Sequence, residues 1–319
     1  MEKTKITVAI ILIAIITLSV FFVIFSTQNF QFRDGITITD SQGYPTTLSA
    51  APERIISIAP SITPILFEIG VGDKVVGVTD YDNSPYDFSA WFVAGNMTSI
   101  GGYSNPNIET ILSLQPDIIF TTDINDITIP NMRNIGLNVI VVGPNSIDEI
   151  FQTIKIVGKA TGAEKNADTL VNNLSTQINN VISTINNADI TKKPTVYYEI
   201  WYSTAGFMTL GANTWVNDVI TTAGGTNIFN DINEPYPTTN SEVIITKNPD
   251  VMLFPTAMGD VASYGSLNEI KNRSGWNTIN AVKNNRIYII DENLFSQPGI
   301  RVAELVQTIA KCLYPDLFP

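Results

Sequence analysis

The chain has 319 residues, 44% of them hydrophobic and 15% charged, enough for two packed domains and incompatible with a disordered protein. A net charge of -12 with no basic run excludes a nucleic-acid surface, which needs clustered Lys and Arg. There is no histidine and one cysteine, which removes histidine-centred acid-base chemistry, a Ser-His-Asp triad, an intramolecular disulfide and a cysteine-rich metal site.

In chain order, Lys3 and Lys5 precede an uncharged run from Ile6 to Phe25. As a helix it would be about 30 Å long, the thickness of a bilayer core. No small-residue cleavage site and no cysteine follow it. The reading is a retained single-pass anchor in residues 1–27, placing the rest outside the cytoplasm. Residues 28–50 read as a tether with a short hairpin, from the alternation at Ile36 to Thr39 and the turn at Ser41 to Gly43.

Residues 51–145 alternate strand and helix. Strands are expected at Arg54–Ile58, Lys74–Val78, Ile118–Thr121 and Val139–Val142. Helices are expected after Pro60, over Glu109–Leu114 and near Met132. Residues 146–190 carry no strand signal and read as bridging helices, over Ile147–Ala160 and then Ala163–Asn187. Apolar positions from Ala167 to Ile185, spaced three and four apart, predict one long amphipathic helix as a rigid connector. Residues 191–319 return to alternation, with strands at Val196–Ile200, Val251–Phe254 and Arg286–Ile290 and helices at Thr214–Ala223 and Arg301–Leu313.

One stretch occurs twice. Tyr103, Asn107, Glu109, Ile111, Pro116 and Asp117 share their spacings with Tyr236, Asn240, Glu242, Ile244, Pro249 and Asp250. In each copy the Asn caps a helix and Pro-Asp opens a buried strand, so two related α/β lobes are expected, each bringing one tyrosine to a cleft and one acid to its rim. A plain account of Glu109 and Glu242 is that acids in a helix's first turn favour the dipole by roughly 0.3 to 1 kcal/mol. Trp201 and Tyr202 directly follow a strand, the place where α/β sheets bind ligands. Trp215, Trp276 and Cys312 read as core.

Pro52-Glu-Arg-Ile-Ile-Ser57, Gly72-Asp-Lys-Val-Val-Gly77 with Tyr81, the Asn-x-Glu-x-Ile-x4-Pro-Asp pair, Gly224-Gly-Thr-Asn-Ile-Phe229 and Gln297-Pro-Gly-Ile-Arg301, in this order from about Ile36 to Phe318, resemble the substrate-binding proteins of ABC importers for cobalamin and iron chelates. The resemblance implies two Rossmann-like lobes with mainly parallel sheets joined by one long helix, little closing motion, and a ligand in the groove between the lobes. It implies groove aromatics at Tyr81, Tyr103 and Tyr236 and near Phe207, a ligand-facing loop with Phe295 and Gln297, and docking of Glu109 and Glu242 on arginines of a permease dimer coupled to its ATPase subunits. Tyr103 and Tyr236 replace tryptophans known in the family.

The groove loops are nearly free of cations, which disfavours polyanionic chelates and leaves a corrinoid as the expected ligand. A ferric siderophore, or haem held through tyrosine, is the alternative. No resident cofactor, metal or catalytic residue is expected, and the protein should be a monomer. An extracellular enzyme using Asp80 and Asp82 is the reading from a different class, with nothing marking either as a poised acid or base.

Overall fold

A computed structural model describes residues 35–123, 128–203, 206–256 and 267–318. The expected anchor at residues 6–25 lies outside them. Among the described residues no helix is long and apolar enough to cross a membrane.

The first unit is an antiparallel hairpin, β1 (Ile36–Thr39) and β2 (Pro45–Leu48). The N-terminal lobe then runs β3 (Ile55–Ser57), α1 (Thr63–Glu68), β4 (Val75–Val78), α2 (Ser89–Val93), β5 (Thr98–Ser99), α3 (Ile108–Ser113), β6 (Ile118–Thr121), α4 (Thr128–Asn134) and β7 (Val139–Val141). Its strands pair in parallel in the order β5-β4-β3-β6-β7. Relabelled within the lobe, that is the 3-2-1-4-5 order of a doubly wound sheet, which binds outside the carboxyl ends of its strands. Ile118, Ile119 and Phe120 have no exposed surface, as a sheet covered by helices on both faces requires.

Two helices follow, α5 (Ile147–Thr161) and α6 (Glu164–Asn186). The bridging region thus holds two helices, and the expected long amphipathic one is α6. Gly162, in the left-handed conformation at φ 75°, ends α5 and lets α6 turn back against it. The 23 residues of α6 give it a length of about 34 Å. The predicted apolar face is the one buried, through Ala167, Val171, Leu174, Ile178, Val181 and Ile185.

The C-terminal lobe contains β8 (Thr195–Ser203), β9 (Gly206–Thr209), α7 (Trp215–Thr222), β10 (Thr226–Asn227), β11 (Thr238–Thr239), α8 (Ser241–Lys247), β12 (Val251–Pro255), α9 (Leu267–Lys271), α10 (Asn280–Lys283), β13 (Ile287–Ile290), α11 (Glu292–Ser296) and α12 (Val302–Leu313). Strands β10, β8, β12 and β13 pair in parallel, while β9 and β11 extend the sheet antiparallel beyond β8. This extension, α2 and the short helices α9 to α11 had no counterpart in the expected elements; each is too short for a periodic apolar pattern.

One continuous apolar core contains Ile55, Ile118 and Phe120 of the first sheet, the buried faces of α5 and α6, and Val196, Leu253 and Ile309 of the second lobe. Each sheet buries its other face in a cluster of its own, around Ile119 in the first lobe and Phe254 in the second. A shared core opposes hinge motion, because opening would expose it to water. The start of α5 is tied to the second lobe, where the Ile147 amide donates to Asp218 Oδ2 at 2.8 Å. A Cβ on Gly299 would stand 2.8 Å from the Ser61 carbonyl oxygen, so the lobes touch there through backbone.

Trp276, Trp215 and Cys312 are buried, as read from the sequence. Burial pushes the Cys312 thiol up to about 11, which leaves it un-ionised and inert at neutral pH.

Candidate functional site

The duplicated stretch folds the same way twice. Asn107 Oδ1 accepts from the Thr110 amide at 2.9 Å, and Asn240 Oδ1 from the Val243 amide at 3.0 Å. Both copies close through a left-handed residue, Gln115 at φ 46° and Asn248 at φ 47°. Asp117 Oδ2 then accepts from the amides of Glu53 and Arg54 at 2.8 and 2.9 Å, while Asp250 Oδ2 accepts from the Thr195 amide and hydroxyl at 3.1 and 3.0 Å. The Pro-Asp signal is therefore a clip tying the repeat to the first strand of its lobe. Asp250 loses some solvation, yet the Thr195, Asn280 and Lys192 contacts outweigh that and hold its carboxyl below the usual value.

Tyr81 and Tyr103 stand beyond the carboxyl ends of the parallel strands β4 and β5. After β4, Asp82 Oδ2 accepts from the Thr79 amide at 2.8 Å and the Thr79 hydroxyl at 2.6 Å, pinning a turn that leaves Tyr81 52% exposed. Tyr103, partly exposed, meets Tyr81 edge to face with ring centroids 5.2 Å apart, an arrangement aromatic pairs favour. Asp82 is itself buried. Its Oδ1 has no hydrogen-bond partner among the described residues, and burial raises its pKa although the nearby threonine hydroxyls pull the other way.

On the facing lobe, Trp201 and Tyr202 end β8 and Tyr236 precedes β11, all exposed. Tyr236 is partly desolvated, and with the carboxylate of Asp123, just past β6, this raises its pKa. Gln297 and Arg301 meet Ser61, Pro64 and Pro85 of the first lobe in a small cleft. Arg301 was not singled out as a site residue, although its motif was. Its guanidinium is occupied by Glu304 at 2.8 and 2.9 Å and by Asp291 at 3.3 Å.

Two expected groove aromatics sit elsewhere. Phe207 is buried, stacked beneath Tyr202 with centroids 5.3 Å apart. Phe295 is buried and stacked on Tyr198 at 4.3 Å. Both support the wall from behind, because each lies on the strand or helix face turned into the lobe. Gln297 is partly exposed and donates to Asn293 Oδ1 at 3.2 Å. Glu109 and Glu242 are exposed in the first turns of α3 and α8.

The periplasmic binding protein family matches residues 55–294 of the chain. An uncharacterized ABC transporter substrate-binding lipoprotein of Bacillus subtilis is 29% identical over 288 residues, covering 89% of this chain and 87% of that protein. A cobalamin-binding protein of Halobacterium salinarum is 25% identical over 289 residues, covering 88% of this chain and 74% of the other. The structure of a periplasmic haem-binding protein from Roseiflexus superposes with a TM-score of 0.71 at 25% identity, covering 83% of this chain and 99% of its own. The chain belongs to the periplasmic binding protein family, as a substrate-binding protein of an ABC importer and not an enzyme.

Proposed function

We propose that the groove captures a corrinoid and that the protein delivers it to an ABC permease. The observation that carries this is the set of exposed aromatics on both lobes, Tyr81 and the partly exposed Tyr103 on the first and Trp201, Tyr202 and Tyr236 on the second, with the nearby arginines already paired to carboxylates. Such a wall suits a large ring with a weak net charge better than a polyanionic chelate. The Halobacterium relative supports the same ligand class.

The matched exposure of Glu109 and Glu242, one on each lobe, supports docking on a two-fold permease presenting equivalent basic sockets. The protein then works outside the cytoplasm, held at the membrane by its N-terminal segment. Calorimetry with cyanocobalamin, cobinamide, haem and a ferric hydroxamate tests the ligand. Tight binding of the hydroxamate without cobalamin would move the assignment to iron uptake. For docking, the E109K/E242K double variant should bind ligand normally and fail to stimulate ATP hydrolysis by the reconstituted transporter; normal stimulation would return both acids to the helix-dipole account. A second reading, haem, is favoured by the phenolic oxygens of Tyr81, Tyr103 and Tyr236, any of which can ligate ferric iron.

A further inference from the structure

Beneath the second lobe's wall lies a cation that takes no part in the groove's surface. The Arg273 guanidinium is 4.9 Å from the Tyr202 ring centroid, 5.1 Å from Phe207, 4.6 Å from Trp276 and 5.8 Å from Phe254. Its Nη1 and Nη2 donate to the two carboxylate oxygens of Glu199 at 2.7 and 2.9 Å, and the Tyr197 hydroxyl donates to the same carboxylate at 3.1 Å. The Glu199 side chain has no exposed surface and that of Arg273 has 14%.

The backbone arranges this. Register between β8 and β9 shifts between Glu199 and Trp201, a bulge that breaks the two-residue alternation. Tyr202 is thereby carried to the side of the strand where Tyr197 and Glu199 meet Arg273, while 45% of its surface stays open. One ring thus touches the groove on one side and a buried cation on the other. A buried ion pair is no better for stability than well-packed apolar side chains, so folding alone does not account for a full charge placed here.

We propose that Glu199 sets the charge preference of the groove: by cancelling Arg273 behind Tyr202 and Phe207, it keeps the second lobe's wall a neutral aromatic face that selects uncharged ring systems over their anionic counterparts. This rests on the groove being the ligand site. Arg301, at the cleft between the lobes, is held by Glu304 and Asp291 in the same manner. Both arginines near the groove therefore arrive already neutralised by acids of their own lobe.

The test uses ligand pairs of one shape and different charge: cyanocobalamin against its tricarboxylate, and haem against its dimethyl ester. In E199Q, where glutamine retains an acceptor for Arg273 and the cation is uncovered, the affinity ratio of anionic to neutral partner should rise roughly tenfold at low salt. The rise should shrink at physiological ionic strength. An unchanged ratio overturns the proposal, because a merely structural pair would weaken both partners equally. Should E199Q not fold, the E199M/R273M variant, which removes both charges, must keep the wild-type ratio; a shifted ratio there is equally fatal. Wild-type binding of haem and not of cobalamin would remove the corrinoid reading and leave this proposal standing. Binding of neither ring would remove both.

Discussion

Each lobe exposes a tyrosine close to a buried acid, Tyr81 near Asp82 and Tyr202 near Glu199, but the two acids live differently. In the second lobe Glu199 lies under Tyr202 and is matched by Arg273. In the first, Asp82 lies under Tyr81 with no ion-pair partner among the described residues, faced by the hydroxyls of Thr79 and Thr63. The repeat outside the groove is conservative by contrast: caps, left-handed residues and Pro-Asp clips coincide copy for copy. What a lobe needs in order to fold is kept twice, and the acids near the exposed tyrosines have diverged.

The largest expected break in this comparison is Glu199→Ala. It leaves Arg273 buried without its counter-charge and should cost about 3 to 5 kcal/mol, read from urea unfolding. Asp82→Ala leaves no charge behind and should cost much less. Equal losses would mean that Glu199 and Asp82 are in equivalent environments after all.

Next come the tyrosines. Losing the Tyr236 ring should weaken ligand binding roughly tenfold, since burying an aromatic face is worth on the order of 1 to 3 kcal/mol. Tyr103→Ala should cost less than Tyr236→Ala, because Tyr81 stands 5.2 Å from Tyr103 and can take up part of the exposed ligand face. Calorimetry on the two variants decides it; a larger loss at Tyr103 would make the first lobe the dominant wall.

The clips should differ more modestly. Asp250 accepts from both the amide and hydroxyl of Thr195 and is shielded from water, whereas Asp117 is exposed. Asp250→Ala should cost about 1 to 2 kcal/mol, and Asp117→Ala less. The Asp250 carboxyl is held below its unfolded value of 3.8, so its contribution is complete above that value and is lost as pH falls through the folded one. The stability gap between wild type and Asp250→Ala should therefore be largest near pH 7 and narrow as pH falls below 3.8; a gap that does not change with pH would exclude the charge as its origin.

The sequence made the scaffold legible because its signals are local. An Asn cap, a Pro-Asp corner and an apolar run each act over a few residues, and the α6 face repeats often enough to be unmistakable. The groove was legible only in outline. Tyr81 and Tyr103 follow strands, Trp201 and Tyr202 end β8 and Tyr236 precedes β11, but whether an aromatic in such a place turns outward or inward depends on tertiary packing. Phe207 and Phe295 turn inward. The Glu199–Arg273 pair was invisible because its members are 74 residues apart and only the β8 bulge brings Tyr202 to them. The clamp of the hairpin onto the first lobe was equally hidden: Asp40 pairs with Arg133 and the Ser41 amide donates to the Val141 carbonyl at 3.0 Å, contacts no short-range pattern encodes.

The smallest effect is the most discriminating test of the difference between the two buried acids. Burial raises the Asp82 pKa above its unfolded value of 3.8, with the threonine hydrogen bonds opposing. A raised carboxyl favours its neutral form in the folded state, so the stability it contributes is fully present below the unfolded value and is lost as pH rises through the folded one. At neutral pH the charged Asp82 is thus a burden, and Asp82→Asn should be at least as stable as wild type, by up to about 1 kcal/mol. The Asn carbonyl can still accept from the Thr79 amide and hydroxyl, so the Tyr81 turn and ligand binding should survive, while Asp82→Ala, which loses both bonds, should weaken binding. Below pH 4 the advantage of Asn over Asp should vanish, since both side chains are then neutral. Urea unfolding at pH 4, 6 and 8 reads the trend directly. An Asp82→Asn variant less stable than wild type by a margin that widens from pH 6 to pH 8 would show that the folded state favours the charged carboxylate and would overturn this reading of Asp82.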